Sequence, residues 1–192
     1  MFVVRVTNDD IRLSQRTTID EPFGTPVRMQ ARVNSNTMES AAVLSVDGLT
    51  LCVTSTRQSK LADSDCYLLT RSSLSEPFGN PFSAGREVNS AGIIIPNWIS
   101  NDRKLLPITT ITTRPFRSTS HIRASEGEPF GAAFPLGHPF VRSEVGNARV
   151  STDGQRLYFH SREISRGRSD LDLWVVHRVR KYLPICGSLC CS

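Results

Sequence analysis

Paired acidic residues are the first side chains in this sequence whose type and spacing could support chemistry. Asp63 and Asp65 form one pair, and Asp170 and Asp172 form another with the same spacing. Carboxylates this close together suit a calcium site or a loop that contacts a substrate. They also suit a turn at the start of a strand, because aspartate hydrogen-bonds to nearby backbone. Both pairs stand at matching places in a repeat, and this favours the turn interpretation.

The histidines do not form a recognisable metal-binding or catalytic pattern. None has a second histidine four residues later, as a zinc-protease helix requires. We interpret each of the four as an ordinary surface or strand residue: His121, His138, His160 and His177. The chain also lacks a nucleophile elbow, a phosphate-binding loop and a dinucleotide fingerprint. We therefore predict no catalytic, cofactor-binding or metal-binding residues, no cofactor, and a protein that is not an enzyme.

Five cysteines form no evident disulfide framework. Cys52 and Cys66 each stand alone inside a repeat, and the other three crowd the C-terminal end: Cys186, Cys190 and Cys191. An odd count argues against a closed set of disulfides. The C-terminal group has no nearby histidine and makes a poor zinc pattern. Its role, and the compartment of the protein, stay open.

The charge balance is mildly basic, with a net charge of +5 over 192 residues. The segment from Arg156 to Lys181 mixes arginines with acidic residues, so it is not a clean basic stripe. Tyr158, Phe159 and Trp174 lie within it and would suit single-stranded nucleic acid. Their use in a strand core is favoured, and we expect no nucleic-acid partner.

Membrane and export signals are not apparent. No apolar run approaches the roughly 18 residues of a transmembrane helix. Residues 2–6 are too short and too interrupted for the apolar region of a signal peptide. We therefore expect no membrane span. If the chain is a piece of a longer product, an export signal would lie outside it.

An internal repeat supplies the elements that must position these side chains. Its clearest marker is Glu-Pro-Phe-Gly, which starts at Glu21, Glu76 and Glu128. Proline and glycine in this marker break the chain between units. We divide the chain into the last strand of a partial unit (1–20), a repeat (21–75), a degenerate repeat (76–127), a further repeat (128–178) and a cysteine-containing tail (179–192).

A second marker, Ser-x-Asp-Gly, predicts a tight turn that leads into a strand. It occurs at 45–48 and 151–154, with a worn copy at 100–103. Asp-Gly tolerates the positive φ of a two-residue hairpin turn, and the serine can hydrogen-bond to the turn backbone. The residues that follow alternate between apolar and polar, which is typical of half-buried strands. We find no sustained helical period.

The middle unit carries signs of damage. Pro107 stands where a central strand would need a backbone N–H. If His121 is aligned with the aspartate that starts this strand in the other copies, its spacing to Glu128 is also shorter than theirs. These features motivate one interpretation of the chain as a decayed product.

Ser-x-Asp-Gly-x-x-Leu-x-Phe-x-Ser-x-Arg followed by Asp-Leu-Trp resembles the WD40-like PD40 repeat of TolB-type β-propellers. Residues 151–178 match best, 45–71 nearly as well and 100–123 poorly. The version with Glu-Pro-Phe-Gly and Val-Asn-Ser between blades is similar to long, mostly uncharacterised bacterial repeat proteins. The resemblance implies antiparallel four-stranded blades that bind proteins or ligands. Family members are often periplasmic or exported, and they share no catalytic residues.

The expected fold is all-β, an incomplete β-propeller of about three four-stranded antiparallel blades. An unclosed array leaves sheet edges free to pair. Our leading hypothesis is a non-catalytic scaffold that binds a protein or a ligand through blade loops or free sheet edges. One alternative is the propeller part of a hydrolase or peptidase whose catalytic domain is absent here. Another is a decayed gene fragment without function.

Overall fold

The protein is built from short β-strands. The computed structural model describes residues 2–7, 9–58, 64–90, 92–112, 117–135, 145–151, 153, 155–161 and 172–177. These residues form 14 strands and no helix, so the prediction of an all-β protein is confirmed. Within the same residues, no helix has the length and apolar character needed to cross a membrane.

The strands form four antiparallel sheets that follow one another along the chain. Sheet A contains β1 (Phe2–Thr7), β2 (Asp10–Gln15) and β3 (Val27–Arg28). Sheet B contains β4 (Glu39–Leu44), β5 (Thr50–Ser55), β6 (Asp65–Thr70) and β7 (Phe82–Ser83). Sheet C contains β8 (Ile93–Pro96), β9 (Leu105–Ile111), β10 (Arg117–Ile122) and β11 (Phe134–Pro135). Sheet D contains β12 (Val145–Val150), β13 (Arg156–Ser161) and β14 (Asp172–His177).

Sheets B and C are four-stranded meanders in which each strand pairs with the next one along the chain. Their last strands, β7 and β11, have two residues each. Sheets A and D each have three strands among the described residues. This is the architecture of an incomplete propeller built from four-stranded blades, as the sequence predicts.

The sheets begin and end at different points from the sequence repeats. Glu-Pro-Phe-Gly at 76–79 lies between β6 and β7, inside sheet B, and its copy at 128–131 lies between β10 and β11. This differs from the expectation that the marker separates blades. Its proline and glycine instead turn the chain from the third strand to the short fourth strand of the same sheet. The repeat boundaries themselves remain a prediction about the sequence.

The hydrophobic core lies between neighbouring sheets. One cluster joins sheets A and B and includes Ile11, Leu51 and Leu69. A second cluster joins sheets B and C and includes Cys52 and Ile94. Because successive residues of a strand point to opposite faces, β5 contributes to both clusters, and all six of its residues are buried. Sheet B is therefore covered on both faces.

Strand β9 continues through Pro107, so the proline does not break the middle unit. The carbonyl of Pro107 accepts a hydrogen bond from the backbone N–H of Asn97 at 2.9 Å. In an antiparallel strand the N and C=O of one residue point to the same side. The missing N–H therefore faces Asn97, one residue beyond the end of β8. The ladder between β9 and β10 keeps its pairing on both sides of the proline.

Candidate interaction surface

The aspartate of the first Ser-x-Asp-Gly marker holds a turn. Its Oδ1 accepts hydrogen bonds from the Ser45 hydroxyl at 2.6 Å and from the Leu49 N–H at 3.0 Å. Burial alone would raise the pKa of Asp47, but these bonds and Arg103 outweigh it and leave the pKa below its usual value. The loop runs from residue 45 to 49, and of the Asp-Gly pair Gly48 alone has a positive φ, of 74°. The prediction of a two-residue hairpin turn is wrong, because the serine and aspartate side chains support a longer one.

The worn copy keeps the same turn. The Ser100 hydroxyl donates to Asp102 Oδ1 at 2.5 Å, and the Lys104 N–H donates to the same oxygen at 3.1 Å. These two hydrogen bonds lower the pKa of Asp102. Arg103 occupies the glycine position with a φ of 58°. Its guanidinium forms ion pairs with Asp47 of the preceding turn and, at 2.8 Å, with Glu126. The worn copy therefore links two sheets as well as forming a turn.

The third copy repeats the arrangement in sheet D. The Ser151 hydroxyl donates to Asp153 Oδ1 at 2.5 Å, and the Gln155 N–H donates at 3.0 Å. Both hydrogen bonds lower the pKa of Asp153. An aspartate stabilised in its ionised form by its own turn is poorly suited to accept a proton from a substrate.

The acidic pairs of the sequence are only partly described. Asp63 and Asp170 lie outside the described residues. Asp65 begins β6 and pairs with Ser55, and Asp172 begins β14, where it is exposed. Over the described ranges, no group of three or more histidine, cysteine, aspartate or glutamate side chains could hold a metal ion.

Three of the four histidines lie on strands, and His138 lies outside the described residues. His121 on β10 is buried, and its Nδ1 lies 2.8 Å from the carbonyl oxygen of Gly131. Burial lowers the pKa of His121, and this ring–carbonyl contact opposes the shift only in part. His160 on β13 is half-buried, and His177 ends β14. His121 thus joins a strand to the Glu-Pro-Phe-Gly loop of the same sheet.

An arginine just after the strand that precedes each Glu-Pro-Phe-Gly loop clamps that loop, a role that the sequence analysis missed. The guanidinium of Arg71 stacks on the Phe78 ring, 4.6 Å from its centroid. Its Nε donates to the carbonyl of Gly48 at 2.8 Å and so also holds the Asp-Gly turn. The same stacking joins Arg16 to Phe23 at 4.5 Å and Arg123 to Phe130 at 4.7 Å. The signal was the constant spacing of seven residues from arginine to phenylalanine.

The asparagine of Val-Asn-Ser clamps a strand edge. Asn89 Oδ1 accepts from the N–H of Cys66 at 2.8 Å, and its Nδ2 donates to the Cys66 carbonyl at 3.1 Å. Asn34 makes the same pair of bonds with Ile11, at 2.7 and 3.0 Å. The side-chain amide thereby acts as a strand partner for one residue of β6 and, in sheet A, for one residue of β2. Asn34 and Asn89 therefore have a structural role, in which each fixes a loop to a strand.

Two clefts open on the surface of the described residues. One, of about 550 Å³, lies between sheet A and the Glu-Pro-Phe-Gly loop of sheet B, lined by residues such as Val27 and Phe78. The other, of about 460 Å³, lies where the turns of sheets B, C and D meet, and Val46, Trp98 and Arg149 line it. This second cleft lies among the turns that join the first and second strands of their sheets.

Sheet D presents apolar side chains to solvent, in contrast to sheet B. Along β14, Leu173 is 80% exposed, Val175 is 46% exposed and Trp174 is 38% exposed. Tyr158 of β13 lies directly opposite Val175 and is 38% exposed. Phe159, on the other face of β13, is buried. We define the outer face of sheet D as Tyr158, Leu173 and Val175.

The repeat identifies the buried counterparts of these residues. With Asp65 aligned to Asp172, Cys66 corresponds to Leu173. With Ser45 aligned to Ser151, Cys52 corresponds to Tyr158. Both cysteines are 0% exposed, because they belong to the cluster that joins sheet B to sheet C. The outer face of sheet D thus occupies the place that the following sheet covers in sheet B.

Comparison with known proteins supports the architecture. No protein-family model matches the chain, and no curated protein matches it. Among solved structures, the chain is similar to the putative TolB from Agrobacterium tumefaciens, with a TM-score of 0.57 and 17% sequence identity. The chain has a TolB-like β-propeller fold. The similarity covers 92% of this chain and 54% of that chain, so this protein spans about half the length of that structure.

The TolB-like fold explains the position of the exposed face. In a propeller, successive sheets are arranged radially around a central channel. A further blade in this arrangement would cover Tyr158, Leu173 and Val175, as sheet C covers Cys52 and Cys66 of sheet B. The exposed face therefore corresponds to the face that a neighbouring blade covers in a propeller.

Proposed function

We propose that this chain is a non-catalytic β-propeller scaffold of the PD40 repeat type that binds another protein. The binding surface is the outer face of sheet D. The observation that carries the proposal is the contrast in exposure between Leu173, at 80%, and its counterpart Cys66, at 0%. Contiguous exposed apolar side chains are typical of an interaction site.

The residue types on and beside this face suit a protein partner. Tyrosine and tryptophan are enriched at the centre of protein interfaces, and charged residues are depleted there. On this face Tyr158 and Val175 lie in the middle of their strands, whereas His177 lies at the end of β14. An apolar centre with a polar end has the arrangement of an interface core and its rim.

The polar residues support a binding role over catalysis. Among the described residues, Asp47, Asp102 and His121 could do acid–base chemistry, but their side chains hold turns and loops instead. The packing of sheet C around Pro107, which is itself buried, supports a folded protein over a decayed fragment. A scaffold is the function that both observations favour.

A photo-crosslinking amino acid at position 173 tests the proposal in cells that produce the full chain. The matched control is the same substitution at Ile19, which is 74% exposed and lies on a loop of sheet A. We expect position 173 to give one discrete adduct that mass spectrometry assigns to a single protein, and position 19 to give none. Identical adducts at both positions, or none at position 173, would contradict the proposal.

Charge substitutions then measure the contribution of the face to binding. With the partner identified by crosslinking, Leu173→Glu should weaken binding at least tenfold, because it places a charge in a desolvated interface. Ile19→Glu should leave the affinity unchanged. Equal affinities for the two variants would place the binding surface elsewhere.

A further inference from the structure

Two cysteines that the sequence separates lie in contact inside sheet B. Cys52 on β5 and Cys66 on β6 have their Sγ atoms 2.7 Å apart. In the register of these strands Cys52 pairs with Leu68, and Cys66 pairs with Thr54. The cysteines are thus diagonal neighbours, and both belong to the cluster that faces sheet C. Diagonal neighbours on paired strands lie roughly 7 to 8 Å apart, and their side chains still reach one another.

The surroundings hold the pair in place. Both cysteines are 0% exposed. Apolar side chains such as Ile94 and Leu106 share their cluster. The backbone of Cys66 is fixed by the two hydrogen bonds to Asn89. Contact with Cys52 and burial both raise the pKa of the Cys66 thiol, which disfavours the reactive thiolate. The closed sheet also keeps reagents in solution away from the buried pair.

We propose that Cys52 and Cys66 are an oxidation site, at which an intramolecular disulfide forms and stabilises sheet B. The oxidant is a small-molecule disulfide such as oxidised glutathione, which reaches the thiols during folding or when strands β5 and β6 open. One cysteine thiolate attacks the oxidant and forms a mixed disulfide, and the first glutathione thiol leaves. The other cysteine thiolate attacks the cysteine sulfur of this mixed disulfide, which forms the bond between Cys52 and Cys66 and releases the second glutathione thiol. Two cysteine thiols are oxidised and one glutathione disulfide is reduced to two thiols.

The two sulfur atoms have only a short distance to close, and some adjustment of the strand backbones brings the diagonal pair together. The sulfur–sulfur bond of a disulfide is about 2.05 Å long, and the two Sγ atoms are already 2.7 Å apart. The bond would join the two middle strands of sheet B, which lies between sheets A and C. The odd cysteine count concealed this site, because the three C-terminal cysteines make the total five.

Peptide mapping tests for the bond directly. The full chain is first given serine at Cys186, Cys190 and Cys191, so that no other thiol remains. It is refolded with oxidised and reduced glutathione, alkylated and digested with trypsin, which cuts after Arg57 and Lys60. We expect the peptide 33–57 to be linked to the peptide 61–71, with the mass of two hydrogen atoms lost. Recovery of both peptides separately, each alkylated at its cysteine, would overturn the proposal.

Thermal unfolding gives a second, independent measurement on the same protein. A disulfide lowers the entropy of the unfolded chain, so the oxidised form should melt roughly 5 to 10 °C higher than the reduced form. The control adds Cys52→Ala and Cys66→Ala, and its melting temperature should not depend on redox state. Equal melting temperatures for the oxidised and reduced forms, or a redox effect that persists in the control, would also overturn the proposal.

Discussion

At the scale of single residues, the ionisable side chains of the Ser-x-Asp-Gly turns hold local structure together. Asp47 and Asp102 each accept hydrogen bonds from a serine hydroxyl and a backbone N–H, which favours their ionised form. Arg103 shows how far the turn tolerates substitution. It stands at the glycine position with a left-handed φ of 58° and gains two ion pairs there. The fold therefore uses these residues for turn formation and for contacts between sheets.

His121 should make the stability of the protein depend on pH. Burial lowers its pKa below the ordinary value of 6.5, so the unfolded chain takes up a proton at a higher pH than the folded protein does. The stability from the neutral ring is therefore complete above about pH 6.5 and is lost as the pH falls through the lower, folded pKa. We expect the melting temperature to fall as the pH is lowered from about 7.5 to about 5.

The substitution His121→Asn isolates this effect. The asparagine Nδ2 can still donate to the carbonyl of Gly131, as Nδ1 of the histidine does, but asparagine does not titrate. The variant should have a flatter stability profile over this pH range, measured by thermal unfolding in matched buffers. The control His160→Asn should keep the wild-type profile. Identical profiles for wild type and His121→Asn would show that another group is responsible.

At the scale of elements, the repeat markers act as clamps that join strands to loops. Arg71 ties the end of β6 to the Phe78 ring and to the turn before β5. Asn89 supplies β6 with hydrogen bonds from outside the ladder. Because β7 has only two residues, the third strand would otherwise leave backbone groups without partners. The asparagine clamp recurs in sheets A and B, where the last strand is equally short.

Asn89→Ala should lower the free energy of unfolding by about 1 to 3 kcal/mol, because it leaves the buried N–H of Cys66 without its partner and removes one of the two donors to the Cys66 carbonyl. Urea denaturation measures the loss, and hydrogen exchange at the Cys66 amide should accelerate in the folded state. The matched control is Asn80→Ala, at an exposed asparagine of the same sheet. If both variants lose equal stability, the amide does not serve as a clamp.

At the scale of the whole molecule, burial decreases from the middle of the chain towards its C-terminal sheet. Every residue of β5 is buried, whereas every residue of β14 is exposed. The difference follows from position, because sheet B is covered by sheets A and C while the outer face of sheet D is open. An uncovered face has fewer apolar contacts to oppose local opening.

Native-state hydrogen exchange should report this gradient. We expect the amides of β5 to exchange more than an order of magnitude more slowly than those of β14, because sheet D can open without separating the two main clusters. Mass spectrometry of pepsin fragments covers both strands in one experiment. Uniform exchange across the described sheets would instead mean that the protein opens as a single cooperative unit.

Much of the architecture was readable from local sequence. Strand alternation, the Ser-x-Asp-Gly turns and the recurring Glu-Pro-Phe-Gly marker predicted an all-β chain of antiparallel blades, because turn chemistry and side-chain period act over a few residues. The same local reasoning predicted that Pro107 damages its strand. Whether the missing N–H costs a ladder hydrogen bond depends on where the neighbouring strand ends. This reasoning also placed the Glu-Pro-Phe-Gly loops between sheets, whereas the loops at 76–79 and 128–131 lie inside sheets B and C.

The tertiary structure alone decided which residues meet. The contact between Cys52 and Cys66 depends on the register of β5 and β6, and no spacing rule along the chain contains that register. The contrast between Leu173 and Cys66 likewise depends on which sheet has a neighbour, although the two residues occupy matching positions in the repeat. Local patterns determine strands and turns through short-range hydrogen bonding and alternation. Burial and cross-strand contacts arise from packing between distant segments, and these identify the candidate surface and the cysteine pair.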